Sequence, residues 1–204
     1  MARKAVTTGG TRDEILRIAK RLFLEKGFDG VTIRTIQREV GCEVGLFYYY
    51  FKSKEQIFDV VMDEFESEWK ETFDKRLGEE ETSRVQRLMV VFETVMDILK
   101  KFSAQSEDML HWSVRGAVSH RLGDLVEGYV AEVLGDDKNA LGASNTALAT
   151  VLAGGLVKLA EDAVENKTGR AEYVLRELLE GVFGGSAEEA YSSGRREDIS
   201  VVLL

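Results

Sequence analysis

The residues that could do chemistry sort quickly by what they lack. Two His and one Cys in 204 residues leave little raw material for a nucleophilic triad or a zinc site. There is no P-loop, no Gly-x-Ser-x-Gly elbow, no His-Glu-x-x-His and no Rossmann glycine fingerprint. Carboxylate pairs such as Asp136-Asp137 and Glu161-Asp162 read as solvated faces, so the sequence calls for no enzyme activity, metal or cofactor. Cys42 reads as a small apolar residue in a turn. A different chemistry is concentrated in Val44-Gly-Leu-Phe-Tyr-Tyr-Tyr-Phe-Lys-Ser-Lys54. Phenol hydroxyls suit phosphate oxygens, and aromatic rings can touch base edges. Lys52 and Lys54 flank a coming helix start, where a cation and free backbone amides can meet a phosphate. The competing reading, an aromatic core stripe, fails for the whole cluster, because three successive tyrosines cannot all be core.

The elements around this stretch must position it. No Pro interrupts the chain, and apolar residues recur at helical spacing without strand-like alternation, which gives an all-α fold. Thr11-Arg-Asp-Glu14 reads as a capping box opening a first helix, with Ile15, Ala19, Leu22 and Phe23 inward and Gly27 as its C-cap. A short second helix runs from a Thr32 cap to about Glu39, Gly41 makes a tight turn, and a third helix spans about Glu43 to Phe51. Helix, glycine turn and second short helix form the arrangement of a helix-turn-helix, whose second helix projects into the major groove. With Val40, Phe47 and Phe51 inward, Val44, Gly45, Leu46, Tyr48 and Tyr49 fall outside, and Tyr50 is partly core. Ser53-Lys-Glu-Gln56 is a second capping box, opening a long fourth helix with Ile57, Val60, Val61, Phe65 and Phe73 on one face.

On Thr11-Arg-Asp-Glu-Ile-Leu16, Phe23, Lys26-Gly27-Phe28, Val31-Thr32, Ile36, Gly41 and Phe47-Tyr-Tyr-Tyr-Phe-Lys-Ser-Lys54, the chain resembles the tetracycline-repressor (TetR) family of bacterial transcription regulators. The resemblance covers about the first 60 residues. It implies a homodimeric, all-helical protein that binds a palindromic DNA operator, usually as a repressor released by a small molecule. Carried over by position, it places DNA contacts at Thr32, Arg34, Val44, Gly45, Leu46, Tyr48, Tyr49, Tyr50 and Lys54. Without the resemblance, Arg34 reads as an ordinary solvated charge. Where relatives often carry Ser, Lys and Thr, this chain has Glu43, Val44 and Leu46, which lose a cation and hydroxyls. Glu43 could cap the third helix, while Val44 and Leu46 could meet thymine methyls.

Beyond the headpiece, Gly78-Glu-Glu-Glu-Thr82 reads as an exposed loop, followed by helices near 83–102, 107–134 (broken around Gly116 to Gly123), 145–166 and 170–183. The boundaries taken from this are a DNA-binding domain at 1–56, a helical effector-binding and dimerisation domain at 57–185, and a mobile tail at 186–204. Candidate pocket residues are Phe92, Met96, Phe102, Met109, His111, Trp112 and Tyr129, for which plain core is the competing reading. A dimer face is expected from Leu148, Val151, Leu152, Gly155, Leu156 and Leu159 with Leu178, Leu179, Val182 and Phe183. An internal hairpin is the alternative.

Charge agrees once it is divided along the chain. The net charge is −9, but residues 1–56 hold eleven Lys and Arg against seven Asp and Glu, while residues 57–204 hold 16 against 29. A polyanion needs positive charge only on the contacting face. One Cys excludes an internal disulfide, the first residues carry no apolar signal segment, and the longest uncharged apolar run, Ala147 to Val157, is too short for a membrane helix. The expected location is the cytoplasm. The expected partners are duplex DNA, a second copy of the chain and a small-molecule effector. The rival is a DNA-binding regulator whose C-terminal domain only dimerises or binds a protein.

Overall fold

A computed structural model describes residues 10–78, 83–105, 112–135, 145–166 and 169–183. Among them it has eight α-helices and no strand: α1 Thr11–Lys26, α2 Ile33–Val40, α3 Val44–Tyr50, α4 Lys54–Leu77, α5 Arg84–Gln105, α6 Trp112–Leu134, α7 Asn145–Asn166 and α8 Ala171–Phe183. The all-α class is as the periodicity predicts, with an N-terminal helix-turn-helix followed by a helical C-terminal region. None of the described helices is long and apolar enough to cross a membrane.

The described residues form two compact units. The first contains α1 to α3, α4 as far as Asp74, and Asp97–Leu125. Its core is laid down by helical spacing on α1, where Ile15, Leu16, Ile18, Ala19, Leu22 and Phe23 are all buried. Val31, Ile36, Phe47, Phe51, Ile57 and Val61 join them. Phe58 meets Phe23 edge-on at 5.1 Å and Phe28 at 5.0 Å between centroids, a geometry worth about 0.5–1.5 kcal/mol per pair beyond area burial. The second unit contains Lys75–Met96 and the described residues from Val126 onward. There α7 buries Ala149, Ala153, Leu156, Val157, Ala160 and Ala163, a row of small side chains that allows close packing.

Three local expectations need correcting. Thr11 is not the cap of α1: Gly10 is, with no side-chain bond, and its carbonyl accepts from the Asp13 and Glu14 amides at 3.0 and 3.3 Å. Helix α6 is continuous through Gly116 and Gly123, because a glycine in a helix weakens it without requiring a break. Glu43 stands at the N-cap of α3 but makes no side-chain capping bond. Residues 79–82 of the acidic loop and the tail from 186 lie outside the described residues.

Candidate nucleic-acid interface

The sequence around α2 and α3 explains their geometry. Thr32 caps α2, its hydroxyl accepting from the Thr35 amide at 3.1 Å. Gly41 ends the helix in the left-handed region (φ 72°, ψ 29°), a conformation that costs most other residues steric energy. The Gly41 and Cys42 amides both donate to the Gln37 carbonyl, at 2.9 and 3.3 Å, which folds the turn tightly. Three residues later α3 begins. Phe47 fixes its orientation: it is fully buried and its ring lies 6.3 Å from that of Phe51.

Fixing Phe47 inward turns the rest of α3 out. Val44 is 60% exposed, Leu46 40%, Tyr48 50% and Tyr49 79%. Tyr50 is half-buried, as its place in the sequence predicts, and its ring packs edge-on against Tyr49. Gly45 lies on the exposed side, and a Cβ built there would meet nothing within 4 Å. Neither a positive φ nor crowding inside the protein requires a glycine at this position. It nevertheless costs a seven-residue helix roughly 0.5–1 kcal/mol relative to Ala.

The cations of the headpiece divide into paired and unpaired. Most cations of α1 are neutralised: Arg17 pairs with Glu14, Lys20 with Glu68, and Arg21 with both Glu25 and Glu39. These hydrogen-bonded carboxylates hold the Arg17 and Arg21 pKa above the ordinary arginine value. Arg34, Arg38 and Lys52 are different: all three are exposed and make no ion pair among the described residues. Arg34 and Arg38 are one turn apart on α2, a like-charge spacing that is mildly unfavourable in an isolated helix. Thr32 is exposed at the head of that helix, with its hydroxyl held in the cap. Lys54 is committed elsewhere, donating to the Phe28 carbonyl at 2.8 Å with its ammonium 3.9 Å from the Phe28 ring centroid.

Comparison with known proteins places this geometry. Residues 15–61, from within α1 to the second turn of α4, match the sequence model of the bacterial regulatory proteins of the tetR family. Over this segment the chain is similar to tetR-family regulators. Among curated tetR-family relatives, the HTH-type transcriptional regulator QacR of Staphylococcus aureus (strain Mu50 / ATCC 700699) is 34% identical over 73 residues. That alignment takes in 36% of this chain and 39% of QacR. The HTH-type transcriptional repressor KstR2 of Mycolicibacterium smegmatis is 30% identical over 94 residues, 46% of this chain and 45% of KstR2. The chain therefore spans less than half the length of these relatives. The likeness of fold extends further. The structure of reduced NemR from E. coli aligns over 88% of this chain and 100% of its own, with a TM-score of 0.58 and 16% identity. The regulator FadR from Bacillus subtilis, in complex with stearoyl-CoA, aligns over 85% and 98%, with a TM-score of 0.57 and 17% identity.

Two further surfaces of the chain bear on the sequence-based site residues. Among the described residues nine large hydrophobic side chains stand exposed; four are those on α3 and the other five are Val151, Tyr173, Val174, Leu178 and Val182 on α7 and α8. Leu148, Leu152, Leu159 and Phe183 are half-buried and Gly155 is exposed, whereas Leu156 and Leu179 are already buried within the chain. Of the expected pocket residues, Phe92, Met96 and Tyr129 are buried in the second unit. Met109, His111 and the side chain of Trp112 lie outside the described residues. Phe102 lines a cleft of about 160 Å³ in the first unit, beside Phe65, Trp69, Ile98, Thr72 and the charged Glu68, Asp97 and Lys101. Its floor is three mutually packed rings, with Phe102 at 4.7 Å from Phe65 and 5.7 Å from Trp69. In the sequence Phe65 reads as part of the inward face of α4, and Trp69 carries no separate signal. The available signal was their spacing of four, which puts two rings on one face of α4.

Proposed function

We propose that the chain is a homodimeric transcriptional regulator that binds a palindromic operator through α3 and is released from it by a small-molecule effector. The observation that carries the reading is the outward side of α3: an unforced glycine between exposed Val44, Leu46, Tyr48 and Tyr49, with Arg34, Arg38 and Lys52 unpaired nearby in sequence. Exposed apolar groups of this kind mark contact surfaces, and unpaired cations favour a phosphate backbone. Thr32, Arg34, Lys52 and the Tyr48 and Tyr49 hydroxyls then meet phosphate or sugar, while Val44, Gly45 and Leu46 face the bases in the groove. Tyr50 and Lys54 act mainly by bracing the headpiece.

Residues 1–56 form the DNA-binding domain in this reading, and residues 57–185 dimerise and take the effector. One seven-residue helix reads too few bases for an operator, and two-fold symmetry doubles the contacts. The second copy packs against Val151, Gly155 and Leu159 of α7 and Tyr173, Val174, Leu178 and Val182 of α8. Nothing lies within 4 Å of a Cβ at Gly154 or Gly155, which leaves room for a close helix approach. The effector site is the aromatic cleft on α4 and α5 that includes Phe102. Operator and effector then bind antagonistically, with a coupling of typically 1–3 kcal/mol.

The test is operator selection from a random duplex library, followed by fluorescence anisotropy and light scattering on the purified chain. The expected result is a dimer that enriches a palindrome with half-sites about one helical turn, roughly 34 Å, apart. Leu178→Glu should give a folded monomer with weak operator binding, and Tyr48→Ala a dimer with weak operator binding. A folded chain that enriches no duplex overturns the reading. A small-molecule thermal-shift screen separates the effector from the alternative in which the body only dimerises: a stabilising compound that also weakens operator binding supports the effector.

A further inference from the structure

From Val44 to Tyr50 the outward side of α3 offers a duplex no charged side chain and no side-chain amide; the adjoining charge is the exposed Glu43 at its N-cap. Between Val44 and Tyr50 its exposed side chains are two aliphatic groups and two phenols, with the third tyrosine half-buried. In the major groove guanine, adenine and cytosine are distinguished by hydrogen-bond patterns that Arg, Asn, Gln and Glu side chains match. The apolar feature there is the methyl group on C5 of thymine. Val44 (60% exposed) and Leu46 (40%) sit either side of Gly45, which bears no side chain to hold them off the bases.

We propose that α3 reads pyrimidine C5-methyl groups, with Val44 and Leu46 as the specificity-determining residues. The proposal rests on α3 being the recognition helix, and adds what that helix selects. Cytosine methylated at C5 carries the same group on the same ring carbon. Binding at these positions therefore depends on the methyl group rather than on thymine as such, and operator occupancy responds to cytosine methylation. The neighbouring side chains fit this role. Tyr48 and Tyr49 bring hydroxyls for phosphate, and Arg34, Arg38 and Lys52 supply the charge, so α3 itself is left to sense shape and apolar surface.

The test uses the duplex enriched from a random library, resynthesised with deoxyuridine in place of thymine, which removes methyl groups and leaves Watson–Crick pairing intact. Each methyl buried against an aliphatic side chain changes affinity by about fourfold. Two methyls in each of two half-sites make the all-uracil duplex roughly two orders of magnitude weaker, with single replacements locating the positions. At those positions a 5-methylcytosine–guanine pair binds about fourfold tighter than cytosine–guanine. In the Val44→Ala, Leu46→Ala double variant, whose changes lie on the exposed side, the ratio of thymine to uracil affinity falls towards one. Equal binding of thymine and uracil duplexes overturns the proposal while leaving operator recognition in place. An unchanged ratio in the double variant, or no gain from cytosine methylation at any sensitive position, overturns it too. Retention of no duplex by the folded chain overturns both this proposal and the reading beneath it.

Discussion

Gly45 offers the sharpest test, because stability and DNA binding should move in opposite directions. It lies within a helix, with open space where a Cβ would go. Replacing it with Ala removes the entropic penalty of an interior glycine and stabilises the chain by about 0.5–1 kcal/mol. For a chain of this size that raises the melting temperature by about 1–4 °C. Gly45→Leu should gain nearly as much, since Leu is a good helix former and the space is open. Against a duplex the same side chain stands in the middle of the contacting face and holds Val44 and Leu46 away from the bases. The loss is on the scale of a base contact, roughly 1–3 kcal/mol per half-site, or about 2–6 kcal/mol over two. Affinity should therefore fall at least about 30-fold in Gly45→Leu, and much less in Gly45→Ala. Circular-dichroism melts and fluorescence anisotropy on the same samples provide both readouts. If Gly45→Leu binds the selected duplex as the unmodified chain does, α3 does not enter a groove. If both variants melt earlier, the side assigned to solvent is packed.

Phe47 is the inward counterpart, fully buried two residues away, and Phe47→Ala should cost about 3–5 kcal/mol and broaden or lower the melt of the headpiece, whereas Tyr49→Ala at 79% exposure should leave it within about 0.5 kcal/mol. Lys52→Ala should flatten the dependence of log affinity on log salt by about 0.9 for each phosphate that the lysine neutralises, with the melting temperature unchanged. Lys54→Ala should instead lower the melting temperature, since its ammonium is bonded to the Phe28 carbonyl; the reverse pattern would mean the two lysines are assigned the wrong way round. At the start of α4 the Glu55 carboxyl is held below the ordinary glutamate range by its own backbone amide and then by the Ser53 hydroxyl. Its contribution to stability is full above the ordinary glutamate pKa and is lost as pH falls through the lowered one. An NMR titration should show that lowered value in the native chain and a return towards normal in Ser53→Ala, which also loses the 3.2 Å cap to Gln56 and about 1 kcal/mol.

What the sequence made legible follows from where the information is local. Thr32, Gly41 and Phe47 act through their immediate neighbours: a cap, a left-handed turn and one buried ring set α2 and α3 to within a residue of their expected bounds. The second capping box is only half of what the pattern suggests. Ser53 caps Gln56, but the Gln56 side chain accepts from Lys52 at 2.7 Å rather than from Ser53. Arg38 and Lys54 show where local reading stops. Whether a cation is available depends on which carboxylate or carbonyl the fold brings near, and the partner of Lys54 is 26 residues away. The cleft was harder still, because Phe65 and Trp69 on α4 meet Phe102 on α5 across a separation that spacing within a helix does not encode. The proposed dimer stripe meets the same difficulty: Leu156 and Leu179 share the apolar pattern of their neighbours, yet are buried inside the chain.

The central claim is that α3 reads a sequence in duplex DNA, and selection tests it most directly. The purified, folded chain would be incubated with a random duplex library at two salt concentrations and the retained fraction sequenced. The expected result is enrichment of a palindrome with half-sites about one helical turn apart, persisting at the higher salt and abolished by Gly45→Leu. Retention that is independent of sequence, vanishes at the higher salt and survives Gly45→Leu would contradict it.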